Sequence, residues 1–291
     1  MKISGFTIVR NVVLNDYPAV ESICSILPVV DEMIVLIGNS EDNTEEFIRS
    51  IPSDKIRIYH SVWDENLNKG GQVLAVETNK AFQYISPDSD WAFYIQADEV
   101  IHEKYHDIIR KTAALYKDDK RVEGLLFNYL HFYGTYDYVG DSRKWYHKEV
   151  RIIRNDMGIR SYRDAQGFRR GSIKINVKPV DAAVYHYGWV KNPRKMKEKL
   201  KKVQEFWLDS INEPANIERV SGEIFDFAQF DSLKLFEGEH PAVMKKRISE
   251  KNWFIDLDVS KKKLSFKERL LYWYEKKTGK RLFDFRNYKI I

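Results

Sequence analysis

The first 120 residues alternate between short apolar runs typical of β-strands and amphipathic stretches typical of α-helices. The strand-like runs are residues 5–10 (GFTIVR), 32–38 (EMIVLIG), 55–62 (KIRIYHSV) and 91–97 (WAFYIQA). The helix-like segments are residues 18–27, 43–51, 70–85 and 103–116. Strands that alternate with helices form βαβ units, in which the strands are parallel and helices cover both faces of the sheet. We therefore predict an α/β fold with a mostly parallel central sheet flanked by helices.

The pattern changes after residue 122. Strand-like segments then follow one another without long helices between them, at residues 123–134, 149–155, 171–177 and 182–189. Such strands either extend the sheet or form a small antiparallel ribbon over the site. From residue 192 onward the chain is mostly helical, with helices predicted at 191–202 and 265–280. We predict one domain over residues 1–190 and a helical C-terminal extension over residues 191–291.

Composition narrows the class of protein. The net charge of +5 and the pI near 8.9 favour anionic partners such as nucleotides, and they are too weak to indicate nucleic acid. Cys24 is the only cysteine, which excludes an intramolecular disulfide and a cysteine-rich zinc site. The N-terminal segment is typical of a first strand rather than of a signal peptide, and no run approaches the roughly 18 apolar residues of a membrane span. We predict a cytoplasmic protein, with peripheral contact to the inner face of the membrane as a further expectation.

Polar segments follow three of the predicted strands: GNSEDNT (38–44), WDENLNKGGQ (63–72) and QADE (96–99). Ligands of parallel sheets bind beyond the carboxyl ends of the strands. These segments, although distant in sequence, are therefore expected to meet at one edge of the sheet and to form a site there.

The order of several motifs resembles family 2 glycosyltransferases with the GT-A fold, over about residues 3–190. The motifs are FTIVRN, VDEMIVLIGNSEDNT, NKGGQVLAVETNKAF, WAFYIQADEVIHE, YRDAQGF and YHYGWV. The resemblance implies a GT-A-like catalytic domain over residues 1–190. It also implies a nucleotide-sugar donor, a divalent cation and an inverting transfer to an acceptor hydroxyl.

The acidic pair at the end of the fourth predicted strand is the expected cation site. Loss of a nucleoside diphosphate builds up negative charge, which Mg²⁺ or Mn²⁺ held by oxygen ligands offsets. Asp98 fits this role, and Glu99 could supply a second charge. The family pattern has two acids flanking one residue, whereas this chain has Gln96, Ala97 and Asp98; Gln96 could instead bind the ribose or the base. In the alternative, Asp98 and Glu99 only cap the helix that follows His102.

Further donor contacts are expected after the first two strands. Asp42, together with Asn39, resembles the base and ribose contacts of the family, and Arg10 and Asn11 occupy the region of its nucleotide floor. The alternatives are an ordinary strand-to-helix turn and a solvated strand end.

A glycine pair begins the third helix. Lys69, Gly70 and Gly71 suit a phosphate, because backbone N–H groups at a helix N-terminus bind anions. Glycine pairs are also common in plain loops, and the spacing is neither that of a P-loop nor that of a Rossmann fingerprint.

An inverting transfer needs a base that accepts the proton of the acceptor hydroxyl. We predict Asp164 as this base because its segment should lie over the site, and Asp141 is the reserve candidate. In the alternative, Asp164 forms a plain ion pair with Arg163 or Arg169.

Two features near the predicted domain boundary complete the site. The resemblance implies that His186 is a third metal ligand or a diphosphate contact, although a histidine in an aromatic strand is more often a core residue. The segment 191–202 carries seven basic residues against one acid. It could meet the diphosphate or an anionic membrane, or it could be a solvated helix face.

These features predict a hexosyltransferase-type enzyme of glycan or surface polysaccharide synthesis, with a carbohydrate or a lipid-linked acceptor. One alternative is a sugar-phosphate nucleotidyltransferase, although no glycine directly follows Arg10 as the phosphate loop of that class requires. Another alternative is a non-catalytic nucleotide-sugar-binding protein of the same fold, which Gln96 would favour.

Overall fold

The computed structural model describes residues 1–67, 69–203 and 222–291. Its first half contains four parallel strands, β1 (Ile3–Val9), β2 (Glu32–Ile37), β3 (Ile56–His60) and β4 (Trp91–Tyr94), in the spatial order β4-β1-β2-β3. The helices between and after them are α1 (Ala19–Ile26), α2 (Thr44–Arg49), α3 (Gln72–Phe82) and α4 (His106–Tyr116). The predicted βαβ order is confirmed.

The second half both extends this sheet and adds a small one. The strands are β5 (Glu99–Ile101), β6 (Gly124–Gly134), β7 (Tyr138–Gly140), β8 (Lys148–Arg154), β9 (Ile159–Tyr162), β10 (Gly167–Arg170), β11 (Ile173–Lys174) and β12 (Asn176–Val190). β8 joins β4 to β6, and β12 pairs with β6 and β5. Strands β9, β10 and β11 form a separate three-stranded antiparallel sheet. The segment predicted as one strand at 171–177 is divided between β11 of the small sheet and the start of the 15-residue β12, which also contains the strand predicted at 182–189.

The apolar core lies on both faces of the central sheet. On one face α1, α2 and α4 pack against β1, β2 and β4 through residues such as Ile23, Ile48 and Ile109. On the other face α3 and the small sheet cover Phe6 and Tyr94. This double cover leaves the ends of the strands as the accessible edge. The predicted α/β fold class, with parallel strands flanked by helices and a small antiparallel sheet, is confirmed.

The C-terminal part contains α5 (Pro193–Val203), β13 (Leu233–Leu235), α6 (Lys245–Ser249), α7 (Phe266–Thr278) and β14 (Lys289–Ile290). β13 pairs with β7 and β14 pairs with β12, so this part adds short strands to the main sheet as well as helices. The domain boundary near residue 190 stays a prediction. Within the described ranges, no helix has both the length and the apolar character needed to cross a membrane.

Candidate functional site

A cleft of about 350 Å³ opens at the carboxyl ends of β1 and β4. Five of the predicted site residues line it: Arg10, Asn11, Gln96, Ala97 and Asp98. Its polar and aromatic wall also includes Glu41, Trp63, Lys199 and Lys202. The expectation that the segments after β2, β3 and β4 meet at one edge is therefore confirmed, because Glu41, Trp63 and Asp98 line the same cleft.

Asp98 is brought to the cleft by the pairing of β5 with β12. Glu99 lies opposite His186 in this antiparallel ladder, and the backbone N–H of Tyr187 donates to the Asp98 carbonyl at 2.8 Å. The pairing places Nε2 of His186 3.6 Å from Oδ2 of Asp98. A Cβ at Gly188 would lie 2.5 Å from that oxygen, so only glycine at this position leaves room for the carboxylate.

A histidine pair continues the polar chain from Asp98 into the protein. Nε2 of His131 lies 2.8 Å from the carbonyl oxygen of Tyr146, which only accepts, so this nitrogen carries a proton. Burial and the neighbouring His186 hold the pKa of His131 well below its usual value. Its Nδ1 therefore accepts from Nδ1 of His186 at 3.2 Å. The remaining nitrogen of His186 faces Asp98, and either a proton or a bound cation between them satisfies both groups.

Two lysines add positive charge around this pair. Burial alone would raise the pKa of Asp98, but His186, Lys199 and Lys191 outweigh burial and hold that pKa well below its usual range. Lys199 Nζ donates to the Gly188 carbonyl at 2.8 Å. Burial and the nearby Lys199 lower the pKa of Lys191 to about 7. Asp98 is therefore an ionised carboxylate in a partly buried, positively charged setting.

Glu99, predicted as a second metal ligand, points away from the cleft into a buried ion pair. Arg151 donates to both of its carboxylate oxygens, at 2.7 and 2.8 Å, and both side chains are almost wholly buried. The Tyr129 hydroxyl donates to the same carboxylate at 2.5 Å. The predicted cation contact of Glu99 is therefore replaced by this ion pair, whereas Asp98, in the turn before β5, lines the cleft.

Gln96 lines the cleft and also binds a neighbouring loop, and its predicted ribose or base contact stays a prediction. Its Nε2 donates to the Ala165 carbonyl at 3.3 Å, which ties the loop at residues 163–165 to the end of β4. A carboxylate in this position could not donate that hydrogen bond. Gln96 stands where the family pattern described above has an acid, and its amide is the donor of the hydrogen bond to the Ala165 carbonyl.

Asp164 lies in that loop, between two residues with left-handed backbone, Arg163 (φ 57°) and Ala165 (φ 60°). Such φ values strain residues other than glycine and are found at functional sites more often than elsewhere. The predicted alternative, an ion pair with Arg163 or Arg169, is not formed among the described residues. Arg163 binds the Tyr162 hydroxyl instead, and Arg169 binds Asn287.

The same loop is anchored from the other side by α3. The Asn79 side chain both accepts from the Ser161 N–H at 2.7 Å and donates to the Ser161 carbonyl at 3.3 Å. Together with Gln96, this contact fixes the segment that carries Asp164 relative to the cleft.

The segments after β1 and β2 bind each other. Asn11 has left-handed backbone (φ 52°), and its Oδ1 accepts from the Glu41 N–H at 2.7 Å. Asp42 accepts from the Leu14 N–H at 2.7 Å and from Thr44, so it clamps the loop and does not line the cleft. Glu41 lines the cleft in its place.

Arg10 and Asn39 hold the cleft wall at Trp63. The Arg10 guanidinium lies 5.4 Å from the centre of the Trp63 ring, and its Nε donates to the Asn39 carbonyl at 3.2 Å. Oδ1 of Asn39 accepts a hydrogen bond from the backbone N–H of Trp63 at 3.1 Å. Asn39 therefore does not line the cleft itself; it binds Arg10 and Trp63, which do.

Lys69, Gly70 and Gly71 form the turn before α3, and both glycines have positive φ. None of the three lines the cleft, although Leu74 of the same helix does. Lys69 is exposed. The predicted phosphate contact through these residues stays a prediction.

Asp141, the reserve base, lies elsewhere. Its carboxylate accepts from Lys276 at 2.8 Å and from Lys262 at 3.2 Å, and the Tyr272 hydroxyl also donates to it. Burial would raise the pKa of Asp141, but Lys276 and Tyr272 outweigh it and lower that pKa. Asp141 therefore anchors the C-terminal helix α7 and does not serve the cleft.

Sequence reasoning did not single out Lys199, Lys202, Glu41 or Trp63. The two lysines belong to the basic run at 191–202, and nothing in the sequence distinguishes them from the other five basic residues of that run. Among the described residues, no group of three His, Cys, Asp or Glu side chains could hold a metal ion, so Asp98 and His186 stand as a pair.

Comparison with known proteins gives structural neighbours only. Neither a protein-family model nor a curated protein matches the chain. The chain is similar to S. aureus TarS 1-349 in complex with UDP-GlcNAc, with 17% identity, a TM-score of 0.40 and coverage of 76% of this chain and 70% of that one. It covers 42% of the longer TarS chain.

Two further neighbours are more distant. Glucosyl-3-phosphoglycerate synthase from Mycobacterium tuberculosis, in complex with Mg²⁺ and UDP, shows 17% identity, a TM-score of 0.29, and coverage of 45% of this chain and 43% of that one. 4-Diphosphocytidyl-2C-methyl-D-erythritolsynthase from Anaerococcus prevotii shows 12% identity, a TM-score of 0.33, and coverage of 53% and 70%. At these values the activity has to be inferred from the site itself.

Proposed function

We propose that the protein is an inverting glycosyltransferase that moves a sugar from a nucleoside-diphosphate sugar to an acceptor hydroxyl. The observation that carries the proposal is the Asp98 carboxylate, 3.6 Å from His186 and in the same cleft as Lys199, at the carboxyl ends of parallel strands. This arrangement suits a diphosphate with its cation. The motif order that resembles family 2 glycosyltransferases supports the same reaction.

The donor would lie along the cleft floor. The nucleoside would contact the segments after β1 and β2, where Arg10, Asn11, Glu41 and Trp63 line the wall. The diphosphate would lie towards Asp98, Lys199 and Lys202. Lysine ammonium groups in a partly buried cleft stabilise the developing negative charge of a leaving group more strongly than they would in water.

A divalent cation fits the pair of Asp98 and His186 in chemical terms. A carboxylate oxygen and an imidazole nitrogen are accepted ligands of Mn²⁺, and a carboxylate is a preferred ligand of Mg²⁺. When bound, the cation would neutralise part of the diphosphate charge. Glu99 is no longer part of this proposal, because Arg151 occupies both of its oxygens.

Asp164 is proposed as the general base. It would accept the proton of the acceptor hydroxyl while the oxygen of that hydroxyl forms a bond to the anomeric carbon. The bond from that carbon to the diphosphate oxygen breaks in the same step, and its electron pair leaves with the diphosphate. The Gln96 and Asn79 contacts position the loop that carries Asp164.

The acceptor is proposed to be a carbohydrate or a lipid-linked glycan, with a hexose as the transferred sugar and a role in glycan or surface polysaccharide synthesis. This part rests on the resemblance in motif order. The donor proposal can be tested independently of it.

A thermal-shift series with UDP, GDP, CDP and ADP, each with and without Mn²⁺, tests the donor proposal. A ligand that binds only the folded state raises apparent stability by mass action. We expect at least one diphosphate to raise the Tm, more so with Mn²⁺, and Asp98→Asn to remove the Mn²⁺-dependent part. Asp88→Asn, an exposed carboxylate outside the cleft, is the matched control. No response to any diphosphate contradicts the proposal.

Turnover separates the remaining alternatives. Slow hydrolysis of the nucleotide-sugar that corresponds to the stabilising diphosphate supports the transferase. Release of pyrophosphate from a nucleoside triphosphate with a sugar phosphate would instead identify a nucleotidyltransferase. Diphosphate binding without any turnover would identify a non-catalytic binding protein.

A further inference from the structure

Helix α7 exposes an apolar face to solvent. Surface helices normally turn their apolar face to the core. In α7 three large apolar side chains face solvent, Phe266 (86% exposed), Leu270 (57%) and Trp273 (56%), whereas Leu271 and Tyr274 are half-buried. These residues are spaced four and three positions apart, which places them on one face of the helix. The outward apolar face therefore is a continuous stripe along the helix.

The opposite face of α7 is polar and is bound to the body of the protein. Tyr272 and Lys276 contact Asp141 through hydrogen bonds, and Glu275 accepts from Arg143 at 2.7 Å. These contacts fix the rotation of the helix about its axis. Turning the apolar stripe inward would break two ion pairs, one of them to the largely buried Asp141.

The helix ends are also well formed. Ser265 and Glu268 make a reciprocal capping box at the start, and Gly279 ends the helix in left-handed backbone (φ 68°). Both devices stabilise the helix independently of what covers its outer face. The exposed stripe is therefore part of a stable helix.

The stripe is surrounded by positive charge. Between residues 261 and 286 the chain has ten Lys or Arg and three Asp or Glu. All three acids are engaged within the protein: Glu268 in the cap, Glu275 with Arg143, and Asp284 with Arg281. Lys267 and Lys280 are exposed near the two ends of α7, and Lys277 Nζ lies 5.1 Å from the centre of the Trp273 ring.

Two more exposed aromatic side chains follow the helix. Phe283 is 88% exposed and Phe285 75%. Phe283 has left-handed backbone (φ 54°), which is uncommon for an aromatic residue. Apolar side chains bordered by Lys and Arg are the pattern of helices that lie in the interface of a membrane with anionic lipids.

We propose that the outer face of α7, formed by Phe266, Leu270 and Trp273 with the flanking Lys267 and Lys277, docks on an anionic phospholipid surface. The apolar side chains enter the boundary between headgroups and acyl chains, and the lysines bind the anionic headgroups. A second copy of the chain fits less well, because a two-fold interface would bring the same lysines against each other. This inference does not depend on the transferase activity.

Co-sedimentation of the full chain with vesicles tests the proposal. We expect binding to phosphatidylcholine vesicles that contain phosphatidylglycerol, weak binding to vesicles of phosphatidylcholine alone, and loss of binding as NaCl is raised. Phe266→Ala/Trp273→Ala should weaken binding at least about tenfold, because each large side chain contributes more than about 1.4 kcal/mol when buried. Lys267→Glu/Lys277→Glu should weaken it on anionic vesicles only.

Leu115→Ala provides the matched control, because Leu115 is an equally exposed apolar residue on a different helix, α4. It should leave vesicle binding unchanged. All substituted side chains are exposed, so the thermal unfolding curve should remain that of the wild type and exclude misfolding as the cause. Equal binding of all variants, or no preference for anionic vesicles, overturns the proposal. So does a dimer in size-exclusion chromatography that Phe266→Ala/Trp273→Ala dissociates.

Discussion

Oδ2 of Asp98 lies 3.6 Å from Nε2 of His186 because β5 and β12 pair with Glu99 opposite His186. The two residues are far apart in sequence, and the ladder is what brings them together. Gly188 contributes the space, since a Cβ there would meet both side chains.

The first prediction concerns that space. Gly188→Ala should push the Asp98 carboxylate from its place, because the added Cβ would lie 2.5 Å from Oδ2 and 2.9 Å from the His186 ring. Overpacking of this kind costs about 1–3 kcal/mol of unfolding free energy. Mn²⁺-dependent diphosphate binding should be lost as well, as measured by thermal shift. Gly222→Ala, where the nearest atom to a new Cβ is 3.4 Å away, is the control.

The second prediction concerns the base. Asp164→Asn should reduce kcat by about 10²–10⁴-fold, because the amide cannot accept the acceptor's proton. Diphosphate affinity should remain that of the wild type, since the diphosphate is proposed to lie towards Asp98, Lys199 and Lys202 and not towards Asp164. Steady-state kinetics and isothermal titration check the two quantities separately. Asp181→Asn, an exposed aspartate of β12, should leave both unchanged, and a similar loss in that variant would argue against a specific role for Asp164.

The third prediction concerns Gln96. Gln96→Glu keeps the shape of the side chain but removes the donor to the Ala165 carbonyl, so the loop that carries Asp164 should lose its tether. We expect lower kcat with little change in diphosphate affinity, whereas Gln83→Glu on the exposed end of α3 should have no effect. Higher activity with stronger Mn²⁺ dependence would instead mean that residue 96 is a ligand position.

The fourth prediction concerns the buried pair of Glu99 and Arg151. Arg151→Met leaves the Glu99 carboxylate buried without its charge partner, which should lower the free energy of unfolding by about 3–5 kcal/mol. Adding Glu99→Gln should recover part of this loss, since no charge then remains buried. Arg121→Met breaks only the exposed pair with Asp119 and should change the denaturation midpoint little.

The fifth prediction concerns pH. Burial raises the pKa of Glu149 to about 7, and its Oε2 has no hydrogen-bond partner among the described residues. The folded state therefore holds a proton that the unfolded state releases at lower pH. The stabilising effect of that proton is full below the unfolded value near 4.5 and is lost as pH rises through about 7.

Denaturant titrations at pH 5 and pH 8 check this sign. Glu149→Gln should gain unfolding free energy relative to the wild type as pH rises, because glutamine does not titrate. Asp156→Asn is the control: Asp156 is partly exposed, and Arg170 lowers its pKa. This variant should not show the gain. A relative loss in Glu149→Gln at pH 8 would contradict the assignment.

Local sequence predicted much of the architecture because strand and helix periodicity are local properties. The four parallel strands, the helices between them and the polar ends that meet at one edge all follow from it. The prediction of Asp98 at the end of β4 needed only the rule that ligands bind at the carboxyl ends of strands.

Local sequence did not predict which side chains contact each other. Asp98 and Glu99 are chemically alike and adjacent in sequence, yet one lines the cleft and the other is buried against Arg151. Asp141 and Asp42 were both predicted as site residues. In the structure, Lys276 donates a hydrogen bond to Asp141, and the backbone N–H of Leu14 donates one to Asp42. Lys199 had no individual signal within its basic run.

The sequence by itself determined that this chain forms an α/β sheet with acids and glycines at its carboxyl edge. Only the tertiary structure decided which of those groups share the cleft. The physical reason is that a carboxylate is drawn to whichever cation or N–H group the fold places within hydrogen-bond distance, and such partners come from strands and helices far along the chain.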